Sequence, residues 1–322
     1  LSLRRQRQMC IRDRDASALY AKNIFNFLSL IVNKENSEIK LNEPLGEKTT
    51  YRSGGGCSIF IQVGTVRDLD IIAESIRGLE LPLAVLGNGS NLLISDTGFS
   101  GLILRLGEEF KSFSVEGERI VTGGAAILPV VARKSVAAGL TGFEWAVGVP
   151  GSMGGAVRMN AGGHGSDMSK SVQRVDGIDL ASGGHFTLSA DQLNFSYRNS
   201  SITSSQIITR VTLELMRGDI EESEQEISEI VRWRVENQPG GQNAGSVFVN
   251  PDGESAGSLI EKLGLKGLRV GSASVSNKHA NFFQVDPGGS ANDVNELMNQ
   301  VAHRVYVEAG VSLKTEIQRV GF

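Results

Sequence analysis

Cysteine is scarce in this chain: Cys10 and Cys57 are the only two in 322 residues. That excludes a disulfide framework and a cysteine-based metal cluster, and a reducing cytoplasm is the expected location. The four histidines, at 164, 185, 279 and 303, fall in no HExxH or similar ligand spacing, so no metal site is expected. No apolar run approaches the ~18 residues of a membrane span, so no membrane association is expected. There is no GxxxxGK[ST] loop and no GxSxG elbow, which argues against P-loop phosphoryl transfer and α/β-hydrolase chemistry.

Positive charge is also in short supply. Five of the 32 basic residues lie in Leu1–Arg14 (LSLRRQRQMCIRDR). That stretch has no apolar periodicity and no signal-peptide core, and it reads as vector- or adapter-derived sequence joined to the reading frame. The alternative is a natural basic arm for nucleic acid. With the stretch set aside, 27 basic residues face 35 acidic ones and the net charge moves from −4 to −8. No basic footprint for nucleic acid remains. Cys57 is then the single cysteine.

Glycine, by contrast, is concentrated. Residues 148–165 contain seven glycines among eighteen, interleaved with Val149, Met153, Ala156, Val157 and Met159. Glycine suits sharp turns and close approach of a ligand to backbone N–H groups, and successive free N–H groups form a nest for anions. A flexible linker is the alternative, but linkers are rich in serine and charge.

A second glycine-rich stretch, Leu86-Gly-Asn-Gly-Ser-Asn91, begins like a dinucleotide fingerprint. Its third glycine is missing, and the residues after it (Asn91-Leu-Leu-Ile) read as a strand where that fingerprint needs a helix. Two such turns, 87–91 and 148–155, could grip one extended dinucleotide from two sides.

The coarse pattern is α+β. Thr65-Val-Arg-Asp68 opens a helix with an apolar stripe at Leu69, Ile72, Ala73 and Ile76. Strands are predicted at 81–86, 91–94, 102–106, 119–122, 172–180, 185–188 and 207–215, with a helix at 128–138. The character changes near Gly218. Residues 219–237 read as an acidic helix with Ile227, Ile230, Val231 and Trp233 inward. A helix begins at Ser290, with Val294, Leu297, Val301 and Val305 inward and Gly310 at its end, and residues 311–320 read as a last strand.

Three scattered residues carry candidate chemistry. Ser246, in Asn243-Ala-Gly-Ser-Val-Phe-Val-Asn250, follows a glycine and precedes an apolar run, so its hydroxyl can enter a pocket; an ordinary turn serine is the alternative. Arg198 follows Tyr197 at the close of the strand-rich part, where a solvated arginine is the plain reading. Glu316 is the sole acid of the expected last strand, where an edge-strand surface acid is the plain reading.

Several motifs in order resemble the UDP-N-acetylenolpyruvoylglucosamine reductase (MurB) family, in its shorter subtype. They are Thr49-Thr-Tyr-Arg-Ser-Gly-Gly, Leu86-Gly-Asn-Gly-Ser-Asn-Leu-Leu, Gly148-Val-Pro-Gly-Ser-Met-Gly-Gly-Ala, Tyr197-Arg198-Asn-Ser, Ala244-Gly-Ser-Val-Phe and Lys278-His-Ala-Asn-Phe. The resemblance runs from about Leu41 to the C-terminus.

It implies a two-part FAD-binding unit of the vanillyl-alcohol-oxidase (PCMH) type, over residues 41–100 and 101–217, plus a smaller C-terminal α/β substrate domain at 218–322. It implies FAD as cofactor, NADPH as hydride donor and UDP-N-acetylglucosamine enolpyruvate as substrate, in the synthesis of a peptidoglycan precursor. By position the catalytic residues are Arg198, Ser246 and Glu316. The implied FAD contacts are Gly87, Asn88, Gly89, Ser90, Asn91, Pro150, Gly151, Ser152, Gly154 and Gly155. Oligomeric state stays open, with a monomer compatible.

The chain departs from the family pattern at four places. Arg158 stands where Tyr is frequent, His164 at an aromatic position, Val249 where Lys is common, and Cys57 within a stretch that is usually Pro-Ala. Val249 removes a candidate cation for the substrate diphosphate, which Arg158 could replace; otherwise Arg158 pairs with a surface acid. Two rival readings remain: an oxidase of the same fold with flavin attached covalently, for which His164 is available, and a flavin-free binding protein on the same scaffold.

Overall fold

The computed structural model describes residues 19–30, 32, 35–79 and 81–322. The segment Leu1–Arg14, with Cys10, lies outside them. The first part is a four-stranded sheet in the order Glu38–Pro44, Gly56–Val63, Phe99–Leu106, Leu83–Val85. Its first pair is antiparallel and the others are parallel. Parallel strands need a crossover, and the helix Val66–Ile76 provides it. The Thr65 hydroxyl caps this helix by accepting from the Asp68 N–H. Leu69, Ile72, Ala73 and Ile76 are buried against the sheet, as their spacing predicts.

The second part is a five-stranded antiparallel sheet in the order Gly184–Ser189, Val172–Asp179, Gln206–Glu214, Arg119–Gly123, Phe113–Glu116. Its core is completed by the helices Leu128–Ala137, Met153–Met159 and Ile220–Asn237. The last of these, which the charge change at Gly218 assigned to the C-terminal unit, buries Ile227 and Ile230 in this second core instead. Trp233, expected inward, is 45% exposed and sits edge-on to the His164 ring at 5.1 Å. Ile227 and Ile230 already fill the inward stripe of the helix.

In the C-terminal part the helix Ala291–Ala309 packs on a small antiparallel sheet of Arg269–Val270, Ala273–Val275 and Phe283–Val285. Val294, Leu297, Val301 and Val305 are inward, and Gly310 ends the helix with a left-handed φ of 71°. The expected strand over 311–320 is shorter: only Gln318–Val320 is a strand, parallel to Leu92–Ile94 of the first part. Residues 311–317 have no continuous partner. They touch Phe248 through a bridge at Thr315 before the chain crosses over.

The C-terminal part is also latched by Asp96. Its carboxylate accepts from the Ser290 hydroxyl at 2.5 Å and from the Ala291 and Asn292 N–H groups at 3.0 Å each. These are orphan donors of a helix N-terminus, where a carboxylate is also favoured by the helix dipole. Asp96→Ala is expected to lower stability by about 1 kcal/mol, the usual cost of losing such a cap. Thermal unfolding checks this; an unchanged midpoint would reject the latch.

Candidate active site

The Gly-Asn-Gly-Ser turn lies between two strands, Leu83–Val85 and Leu92–Ile94, so the helix that a dinucleotide fingerprint needs is indeed missing. Gly89 has φ 66°, and a Cβ there would meet the Lys48 carbonyl oxygen at 2.3 Å. Only glycine fits this approach. The Thr50 N–H donates to the Gly89 carbonyl at 3.1 Å, so the Thr49–Gly55 motif props the turn from behind. Among the described residues no protein acceptor takes the N–H groups of Gly87, Asn88, Gly89, Ser90 or Asn91. Such a row of free amides is an anion nest.

The second glycine loop is not a turn between strands, as expected. Ser152 is the N-cap of the short helix Met153–Met159. The backbone explains the difference: Met153 and Gly154 donate to the Ala126 and Gly124 carbonyls, and Met153, Ala156 and Val157 are buried in the second core. The two loops touch, since a Cβ on Gly87 would come within 2.5 Å of Ser152 Oγ.

Two cavities, of 310 and 810 Å³, meet at these loops. Gly87, Asn88, Ser152 and Gly155 line both, Gly154 lines the smaller, and Gly89, Ser90, Asn91, Pro150 and Gly151 line the larger. All ten residues expected near the dinucleotide therefore share one continuous wall.

Arg198, Ser246 and Glu316 line the larger cavity together. Arg198 projects from a tight turn closed by reciprocal hydrogen bonds between Ser196 and Asn199, and its φ is 58°. A non-glycine residue held there stores backbone strain, a feature common at functional sites. Its Nε lies 2.9 Å from Glu316 Oε1 and its Nη2 donates to the Gly162 carbonyl at 2.9 Å. The N–H groups not committed there, chiefly on Nη1, remain for a ligand. Glu316 is no surface acid. Burial raises its pKa above the ordinary glutamate value, and the Arg198 charge and hydrogen bond partly oppose the shift.

Ser246 and Glu316 come from adjacent extended segments. The Glu316 N–H donates to the Val247 carbonyl at 2.8 Å, while the Asn91 side chain donates to the Glu316 carbonyl at 3.1 Å. Asn281, which the sequence marks only as part of the Lys278–Phe282 motif, is 2% exposed and clamps the other side of this segment. It accepts from the Phe248 N–H and donates to the Phe248 carbonyl. Lys278, Arg234 and Arg319 also line the larger cavity, and spacing alone did not mark them. Against a chain of net charge −4, this cavity collects Arg158, Arg198, Arg234, Lys278 and Arg319 around one acid. Such focusing of positive field suits ligands carrying phosphate or carboxylate.

The departures separate clearly. Val249 and His164 line neither cavity, and the His164 ring sits edge-on to Trp233. Burial pushes the Cys57 thiol up to about 12, with Glu43 adding to the shift, leaving no thiolate to act as nucleophile. Arg158 lines both cavities and pairs with no acid among the described residues.

The site fits an extended dinucleotide: an amide nest at the junction of two cavities, cations around it, and glycines where side chains would clash. An FAD binding domain matches residues 57–189, which makes the chain a flavin-dependent oxidoreductase. The C-terminal domain of UDP-N-acetylenolpyruvoylglucosamine reductase matches residues 236–320.

The protein of that name from Heliobacterium modesticaldum is 40% identical over 87% of this chain and 90% of the relative. That from Anaeromyxobacter sp. is 37% identical over 95% and 96%. The crystal structure of the Thermus caldophilus enzyme superposes with a TM-score of 0.76 at 36% identity, covering 88% of this chain and 98% of that one. The chain belongs to the UDP-N-acetylenolpyruvoylglucosamine reductase (MurB) family. No helix among the described residues is long and apolar enough to cross a membrane.

Proposed function

We propose that this chain reduces UDP-N-acetylglucosamine enolpyruvate to UDP-N-acetylmuramate, a step of peptidoglycan precursor synthesis, with NADPH as hydride donor and FAD as carrier. The observation that carries this reading is the single cavity that joins the amide nest to Arg198, Ser246 and Glu316. The nucleotide-sugar substrate and NADPH fit a cytoplasmic enzyme that needs no nucleic-acid or membrane partner. The compact site, complete within one chain, is compatible with a monomer.

Bound FAD would supply the hydride to the enolpyruvyl double bond. Negative charge then develops on the adjacent carbon and its carboxylate, and fixed donors aimed at it lower the barrier. Arg198 is the cation for that charge, because a guanidinium presents paired N–H donors that match a carboxylate. With its Nε committed to Glu316, it meets the substrate carboxylate through its free Nη hydrogens. Glu316, whose pKa burial raises while Arg198 pulls it back, orients the guanidinium beside the same charge. Ser246 delivers the proton to the carbon. A hydroxyl is a weak acid, so position and a relay must do this work.

An anaerobic titration tests the reading. The flavin band bleached by NADPH should return on addition of the enolpyruvyl UDP-sugar, one equivalent per flavin. A flavin that stays reduced rejects the substrate assignment. One that NADPH never bleaches rejects the donor.

A further inference from the structure

Arg158 is the one charged residue among the six that line both cavities; the others are Val85, Gly87, Asn88, Ser152 and Gly155. It stands on the short helix Met153–Met159, facing the junction where the amide nest lies. Among the described residues its guanidinium makes no hydrogen bond or ion pair; the residue's polar contact outside its own helix is through the backbone, where its carbonyl accepts from the Ser200 hydroxyl. Burial acts alone on this group, lowering its pKa with no carboxylate to offset the effect. A half-buried charge without a partner is costly, and proteins keep one where a ligand will pair with it.

The two cavities differ in what they offer. Arg198, Ser246 and Glu316 line only the larger, so the reacting ring of the cofactor belongs there. The smaller holds none of them and is lined by Arg105, Lys111 and Glu108, of which Lys111 and Glu108 pair with each other. The nucleotide end of FAD goes there, and its diphosphate must cross the junction.

We propose that Arg158 is the cation that grips the FAD diphosphate at this junction, opposite the amides of residues 87–91. The inference rests on FAD as the cofactor and not on the identity of the reduced substrate. A guanidinium presents paired N–H groups that match phosphate oxygens, while the amides supply the other wall. An arginine here makes the hold on FAD partly electrostatic.

FAD affinity, measured by quenching of flavin fluorescence on reconstitution, tests this for the wild type, Arg158→Gln, Arg158→Lys and Arg105→Gln. UDP affinity for each holoenzyme is measured beside it. Arg158→Gln is expected to weaken FAD by about 30-fold, the lower range for unpairing a partly buried charge. Its FAD affinity should also lose part of the salt dependence of the wild type, Arg158→Lys should recover most of the affinity, and UDP affinity should be unchanged. Arg105→Gln should weaken FAD less.

If FAD affinity holds in Arg158→Gln while UDP affinity falls, the arginine serves the substrate diphosphate and the proposal fails. It also fails if neither affinity changes, or if Arg105→Gln has the larger effect. Should Arg158→Gln not fold, the salt dependence of the wild type decides: an FAD affinity indifferent to salt overturns it. None of these readouts depends on turnover of the enolpyruvyl sugar, so failure of the substrate assignment would leave them untouched.

Discussion

Ser246→Ala should leave reduction of the flavin by NADPH nearly normal and slow its reoxidation by the enolpyruvyl sugar by about 100-fold or more, the range for loss of a general acid. The asymmetry follows from the geometry. Ser246 lines the larger cavity on a segment pinned by Asn281 on one side and by Glu316 on the other. In the proposed reaction it delivers a proton to the substrate carbon, whereas hydride transfer from NADPH to the flavin needs no proton at that carbon. Stopped-flow absorbance separates the two half-reactions. Unchanged reoxidation would remove Ser246 from the proton path, and equal slowing of both would mean the variant had disturbed the cavity as a whole.

Arg198→Met should be more damaging. Removing a preorganised charge that faces a developing anion costs about 100- to 1,000-fold in rate, and here the substrate carboxylate loses its cation as well. The variant also strands Glu316. In the wild type, burial raises the Glu316 pKa while Arg198 pulls it back, and the two side chains are each 19% exposed. Without the arginine the pKa rises further. A carboxyl whose pKa is higher folded than unfolded favours folding at low pH, and that contribution is lost as pH rises through the folded value.

The variant should therefore come nearest the wild type in stability at acid pH, where Glu316 is protonated in both and only the bond to the Gly162 carbonyl is lost. At neutral pH it should fall below by about 2–3 kcal/mol, somewhat less than a fully buried broken pair. Thermal unfolding across pH checks the sign: a deficit that is constant with pH would show that the ion pair is not its source. Methionine keeps the left-handed backbone strain at position 198, and the lost bond to the Gly162 carbonyl adds the same deficit at every pH, so the pH-dependent part of the difference reports the charge.

Local rules make much of the chain legible from its residues alone. The caps at Thr65 and Ser290 both accept from the N–H three residues on, because capping depends only on neighbouring residues. The apolar stripes at Leu69–Ile76 and Val294–Val305 are buried as periodicity requires, and a strand follows the 87–91 turn. Where local pattern misleads, a distant partner has intervened. Residues 311–317 have strand composition but change partners midway, so only their end pairs. The loop at 148–155 becomes a helix N-terminus because Ala126 and Gly124 take its first N–H groups. Trp233 faces out because two isoleucines already fill the core beneath its helix.

The sequence by itself determined one glycine turn, at 87–91, that a strand and not a Rossmann helix follows, and through its ordered motifs the family. Turn geometry and glycine's freedom are local properties, written residue by residue. Only the tertiary structure decided what the charges do. The Arg198–Glu316 pair, the elevated proton affinity of Glu316 and the unpaired Arg158 at the joined cavities come from segments far apart in the chain. A charge's environment depends on what folds around it, through burial and through partners that no spacing rule reveals.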